Sequence, residues 1–185
     1  MGNPHELIKA IAEGNRQAFE ELYNLYSVNV YNTALSYTQS KEDAEEITQD
    51  VFTSINRNAS GFKGEASPGT WIYRITINTS LNHLKKKKRF SFIFFGNPEP
   101  GVSHFDHPGI LLENKENARL LFNAIEGLPE SQKTAFILSF VEDLPRQEVA
   151  DIMELSLKAV ESLLQRAKAN LRENLKNLYP HRRKN

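Results

Sequence analysis

Apolar residues recur at three- and four-residue intervals along most of the chain, and no stretch alternates apolar and polar positions long enough to suggest a sheet. The pattern predicts an all-α fold. One stripe runs from near Asn15 through Ala18, Phe19, Leu22, Tyr23, Tyr26, Val30 and Ala34. A second begins at Ser40, whose hydroxyl suits a helix cap with Asp43 in the acidic first turn, and it turns Ile47, Val51, Phe52 and Ile55 inward. Gly61 and Gly64 then break the chain. Ser67-Pro68 restarts it as cap and first helical residue, and the next helix is expected over 68–88.

The pattern changes at residue 90. Phe90-Ser91-Phe92-Ile93-Phe94-Phe95 holds four of the eleven phenylalanines, and Gly96-Asn97-Pro98-Glu99-Pro100-Gly101 follows without periodicity. Such a cluster reads as a boundary, so residues 90–116 are expected to link a helical unit over 1–89 to a second over 117–179, with a basic tail at 180–185. In the second unit a helix is expected near 113–126 and another from Ser131 to Val141, stopped by Gly127-Leu128-Pro129 and by Leu144-Pro145. Two closing helices complete it.

The polar positions carry the candidate chemistry. Asp43, Glu46, Gln49 and Asp50 make an acidic face opposite the apolar stripe of their helix. On the following helix Arg74, Asn78, Asn82 and Lys85 fall at i, i+4, i+8 and i+11, one polar line leading into a basic end. Amides can bond base edges, Trp71 can stack on an unpaired base, and cations can hold the backbone. A solvated face with a core tryptophan would show the same residues.

From Arg146 the spacing suits a helix-turn-helix. Val149, Met153, Leu155, Val160 and Leu163 are expected inward, and small Ala150 marks a close helix crossing. Ser156 would cap the second helix, with Leu157, Lys158, Ala159, Glu161, Ser162 and Gln165 toward bases and Arg166 and Lys168 nearer phosphates. An ordinary αα-hairpin packed on a core fits this pattern too. Glu154 stands at the turn position often held by glycine.

Composition narrows the classes. With 39% apolar and 25% charged residues among 185, the chain can bury a core. Zero cysteines exclude a disulfide scaffold, a thiol nucleophile and thiolate zinc sites. Neither a signal segment nor an apolar membrane-length run is read, so a cytoplasmic protein without direct membrane insertion is expected. Twenty-three basic residues balance twenty-three acidic ones, but unevenly. Residues 1–84 hold six basic against ten acidic, 85–89 are five cations, 90–117 hold one against four, and 118–185 hold eleven against nine. The run Lys85-Lys86-Lys87-Lys88-Arg89 fits a helix C-terminus, a polyanion contact, or both.

Together these strings resemble the sigma factors of bacterial RNA polymerase, specifically the extracytoplasmic-function (ECF) group of the sigma-70 family, which has only regions 2 and 4. AFEELYNLYSVNVYNTALSYTQSKEDAEEITQDVF followed by FKGEASPGTWIYRITINTSLNHLKKKKR looks like region 2, and LPESQKTAFILSFVEDLPRQEVADIMELS followed by VESLLQRAKANL looks like region 4. The resemblance implies a polymerase specificity subunit with no catalytic residue, metal or cofactor. It implies that Asp43, Glu46, Gln49 and Asp50 bind the clamp helices of the polymerase β′ subunit. Ser67, Thr70, Trp71, Arg74, Asn78, Asn82, Lys85, Lys86 and Arg89, with the Gly61–Ser67 loop, would recognise and melt the minus-ten promoter element by capturing a flipped base. Ser156, Lys158, Ala159, Glu161, Ser162, Gln165 and Arg166 would read the minus-thirty-five element while region 4 docks on the β flap. Expected partners are core RNA polymerase, promoter DNA and an anti-sigma factor, free or membrane-anchored. Where many relatives have a basic residue and then Arg, this chain has Glu161-Ser162-Leu163, so no promoter sequence carries over.

Two other readings compete. A free-standing helix-turn-helix regulator would bind duplex DNA unaided, leaving the acidic face unexplained. A small metalloenzyme would have to use His104, Asp106 and His107, which sit in the expected linker without a third ligand at helical spacing.

Overall fold

The computed structural model describes residues 2–95 and 115–178. The chain divides into two units between His104 and Phe105, and among the described residues every regular element is a helix. The expected metal-ligand candidates His104, Asp106 and His107, most of the expected linker and the basic tail lie outside the described residues.

The first unit opens with α1 (Pro4–Ala12), where the Asn3 side chain accepts the His5 N–H and Pro4 occupies a position that needs no N–H. The helix closes on Gly14 at φ 85°, with the Asn15 N–H donating to the Ala10 carbonyl at 3.0 Å. A core stripe expected only from Asn15 leaves this helix out. Next come α2 (Arg16–Thr38), capped by Asn15, and α3 (Lys41–Asn58), capped by Ser40, whose Oγ accepts the Asp43 N–H at 3.2 Å. A 3₁₀ turn (Ala59–Gly61) leads to α4 (Pro68–Phe95), where Ser67 Oγ accepts the Thr70 N–H at 3.0 Å. The three expected starts, at Asn15, Ser40 and Ser67, follow from ordinary side-chain chemistry.

α2 is the hub, packed against α1, α3 and α4. Leu22, Val30, Ala34, Ile47, Val51 and Ile55 are buried as their spacing predicts, while Tyr23 stays exposed with its ring 4.6 Å from that of Phe52. Five consecutive residues, Thr33 to Tyr37, are buried on every side of α2. Ser36 is accommodated there because its hydroxyl bonds back to the Asn32 carbonyl at 2.9 Å, whereas the Thr33 hydroxyl finds no partner among the described residues. Thr48, Thr76 and Ser80 bond back as Ser36 does, at 2.7, 2.9 and 2.8 Å, so these small hydroxylated residues let helices approach without an unmet donor.

The helix expected over 68–88 is longer than its spacing suggested. α4 continues through Phe95, because nothing in Phe90–Phe95 opposes a helix and the first breakers are Gly96 and Pro98. At the far side α5 (Lys115–Glu126) begins two residues before the expected unit boundary.

In the second unit α6 (Glu130–Phe136) widens into a π-helical turn over Ile137–Val141, so the single helix expected from Ser131 to Val141 changes winding partway. α7 (Arg146–Met153) and α8 (Leu157–Leu178) follow, and α8 packs against α5, α6 and α7. Asn174 donates to the Ala124 carbonyl at 3.0 Å and Asn170 to Gln132 Oε1 at 2.8 Å, tying α8 to both earlier helices. Val149, Val160 and Leu163 are buried as expected. Leu155 is not: it is 41% exposed, and Ile152 fills the core instead, because α7 has already ended and the chain turns at Glu154.

Candidate nucleic-acid interface

On α3 the acidic face divides in two. Glu46, Gln49 and Asp50 are exposed, as their positions opposite Ile47 and Val51 require. The Asp43 side chain is only 14% exposed and is held from α4, by Lys87 Nζ and by His83 Nε2 at 3.3 Å. His83 Nδ1 also lies 3.9 Å from Glu46 Oε1. Asp43 therefore helps to join two helices, a role that its position on the acidic face did not announce. Farther round, Glu45 and Glu42 surround the Tyr31 phenol, which burial and these two negative charges push above its ordinary range.

On α4 the polar line is real. Asn78, Asn82, Lys85, Lys86 and Arg89 are exposed, and Arg74 at the head of the line is half-buried. Thr70 departs from expectation. It is 4% exposed, and its hydroxyl sits 2.9 Å from the Ser67 hydroxyl, so both take part in the helix start, with Ser67 itself exposed. Trp71 is half-buried with its ring 5.1 Å from Phe62, which in turn lies 5.6 Å from the ring of His5.

This aromatic row borders a cleft of about 300 Å³ whose walls include His5, Lys9, Ser60, Phe62, Lys63 and Gly64. Gly64 takes φ 73°, a conformation that side chains rarely adopt, and its missing Cβ would stand 4.0 Å from His5 Nδ1. The cleft thus combines two lysines, the Glu6 carboxylate, an imidazole and the Phe62 ring. Phe62 and Lys63 fall within the expected Gly61–Ser67 loop, whereas His5 and Lys9 were not among the expected site residues. The signal was available in Asn3-Pro4 followed by Leu7, Ile8 and Ile11, which marks a helix that carries His5 and Lys9 on its other side.

In the second unit Glu154 sits at φ 56° as the end of α7, while the Leu155 N–H reaches the Ala150 carbonyl at 3.0 Å. Ser156 Oγ then accepts the Ala159 N–H at 3.2 Å and starts α8. Short helix, tight turn and second helix match the geometry of a helix-turn-helix. Lys158, Glu161, Ser162, Gln165 and Arg166 are all exposed on α8, and Ala159 is half-buried. Arg166 folds back along the helix, its Nη2 donating to Ser162 Oγ at 3.2 Å and its Nε to the Ser162 carbonyl at 3.3 Å. Ser162 thereby orients a cation. Lys168, expected near phosphates, stacks its ammonium 4.6 Å from the centre of the Phe140 ring.

Comparison with known proteins finds two family models in chain order, "Sigma-70 region 2" over residues 22–90 and "Sigma-70, region 4" over 118–171. The chain is 29% identical over 170 residues to the ECF RNA polymerase sigma-E factor of Haemophilus influenzae, covering 88% of this chain and 89% of that protein. It is 27% identical over 177 residues to the RNA polymerase sigma-H factor of Pseudomonas aeruginosa, with coverage of 88% and 89%. Among solved structures, the fold matches CnrH in complex with the cytosolic domain of CnrY at a TM-score of 0.67 and 21% identity, covering 94% and 97% of the two chains. It matches the sigma factor RpoE of Bartonella quintana, solved with the anti-sigma factor NepR, at 0.67 and 21%, covering 85% and 96%.

Proposed function

The chain belongs to the sigma-70 family as an ECF sigma factor with regions 2 and 4, and from that premise we propose how its surfaces divide the work. It binds core RNA polymerase and directs promoter-specific initiation. The family consists of specificity subunits of the polymerase, and we assign this chain no catalytic residue of its own.

Glu46, Gln49 and Asp50 are the polymerase-facing groups on α3, with Asp43 setting their helix against α4. Among them the two carboxylates provide charge complementarity to a basic helix pair. The cleft beside Phe62 and the α4 line together form the minus-ten surface. Extruding a base costs a few kcal/mol, and a pocket with ring faces and hydrogen-bonding groups offsets that cost. Lys9 and Lys63 at the cleft suit the phosphates of the displaced strand, while Asn78 and Asn82 suit base edges. Binding energy alone drives strand opening, without covalent chemistry.

α8 reads the minus-thirty-five duplex with Lys158, Ala159, Glu161 and Gln165, and Arg166, braced by Ser162, holds a phosphate. We place the protein in the cytoplasm; among the described residues no helix is long and apolar enough to cross a membrane. An anti-sigma factor, free or membrane-anchored, completes the set of proposed partners.

The observation that carries this reading is the exposed line Asn78, Asn82, Lys85 and Arg89, which leads along α4 away from the Phe62–Trp71 row. The test is reconstitution: the purified chain is added to core polymerase and transcription is followed on fragments of its own genome. Start sites that require the chain are expected. Failure to join core polymerase, or to add any start site, would overturn the reading.

A further inference from the structure

The run of phenylalanines at the end of α4 has no part in the sites described so far. Phe92 is 68% exposed, one of the most open large apolar side chains in the described residues. Its angle on the helix is informative. It lies 18 residues beyond Arg74, five turns at 3.6 residues per turn, and so it falls on the same side as Arg74, about 27 Å farther along the axis. Arg74, Asn78, Asn82, Lys85, Arg89 and Phe92 step along α4 at intervals of three or four residues, in one line. Lys87 and Ser91 point elsewhere: Lys87 reaches back to Asp43 on α3, and Ser91, one turn on, is half-buried.

The company of Phe92 selects its ligand class. No acidic residue occurs between Glu65 and Glu99, and the line that ends at Phe92 is made of amides and cations. Phe90 and Ile93 are exposed beside Phe92, but an apolar protein partner covering the three would also have to bury the neighbouring exposed Arg89 and Lys88. A nucleobase needs a ring face for stacking and cations for its phosphate, and both are present within one turn. We propose that Phe92 is a stacking platform for a nucleobase of the promoter, a positioning residue at the far end of the α4 line. The proposal rests on the assignment of that line to promoter DNA, and it adds a contact about eight base steps of 3.4 Å beyond Arg74.

The test uses holoenzyme reconstituted with core polymerase and a pool of DNA duplexes carrying a premelted bubble, from which the wild-type holoenzyme selects a binding sequence. 2-Aminopurine is then placed in turn at each position in and beside the bubble, and Phe92→Trp, Phe92→Leu and Phe92→Ser are compared. Stacking is expected to quench the probe at one position with wild type and Phe92→Trp. The quench should be lost with Leu and Ser, and complexes of those two should dissociate at least about fivefold faster, the lower end for loss of one base–aromatic contact. If Leu performs as well as Phe, the side chain fills an apolar site and the inference falls. It falls equally if all four behave alike. Native-gel assembly of each holoenzyme is run alongside, because wild-type failure at that step would strike the assignment of function, whereas normal assembly with no ranking strikes only Phe92.

Discussion

Lys87 on α4 donates to the carboxylate of Asp43 on α3, joining the basic run of one helix to the acidic face of the other. The pair, with His83 on the same carboxylate, sits where two proposed surfaces meet. Asp43 should therefore differ from its exposed neighbours when mutated. Asp43→Asn is expected to cost about 1 kcal/mol of stability or less, since Lys87 is largely solvated, with a modest effect on polymerase binding. Glu46→Lys and Asp50→Lys should leave the melting temperature within experimental error and weaken holoenzyme assembly by tenfold or more. Thermal unfolding with a core-polymerase titration separates the two. Equal assembly by wild type and Asp50→Lys would remove α3 from the interface.

Glu154 holds a left-handed conformation at the end of α7, at φ 56°. A side chain there costs roughly 1–2 kcal/mol, part of which a glycine would regain against its greater freedom when unfolded. Glu154→Gly is expected to stabilise the second unit by about 0.5–1 kcal/mol. It also removes a negative charge from the turn of the helix-turn-helix, so duplex affinity should rise slightly and become more salt-sensitive. A denaturant titration following the second unit checks the sign, and a loss of stability would mean that the Glu154 side chain makes a contact worth more than the strain.

The helical class, the positions of α2 to α4 and the helix-turn-helix were legible because caps and apolar spacing are local. Asn15, Ser40, Ser67 and Ser156 each accept the backbone N–H three residues on, as their positions suggest. What spacing did not show depends on three-dimensional neighbours. Ser36 and Thr76 look polar in sequence and are core residues, because a hydroxyl can bond within its own helix. Thr70 looks like an open polar position in sequence and is buried at the helix start against Ser67. Asp43 reads as free until α4 brings Lys87 and His83 against it. The cleft needs α1, whose His5 meets Phe62 from a distant part of the chain, and no periodicity within α4 could reveal that meeting.

Readout by α8 makes a prediction about sequence rather than affinity. Lys158 and Glu161 are exposed and three residues apart, so they share the face that enters the major groove. Glu161→Gln should shift base preference at one promoter position, because a carboxylate can accept from cytosine N4 while an amide also suits adenine. The expected discrimination is about 1–3 kcal/mol at that position. Run-off transcription over the whole genome gives the profile, and an unchanged set of start sites would count against this readout face.

Lys133 on α6 is buried, and burial holds its ammonium below the ordinary lysine pKa of 10.5, with the charge of Glu126 opposing the shift. Because the folded protein gives up this proton more readily than the unfolded chain, the unfolded state binds more protons in the window just below 10.5. Stability from this group must then rise with pH across that window. Replacing the charge with an apolar side chain of similar length removes the desolvation cost at neutral pH. Lys133→Met is expected to stabilise the second unit by roughly 1 kcal/mol, about 4–8 °C for a domain of this size. The alkaline rise should vanish in the variant. Thermal unfolding at pH values from neutrality to the lysine range tests both parts. A lower melting temperature for Lys133→Met at every pH would show that the polar contacts of the ammonium outweigh its burial.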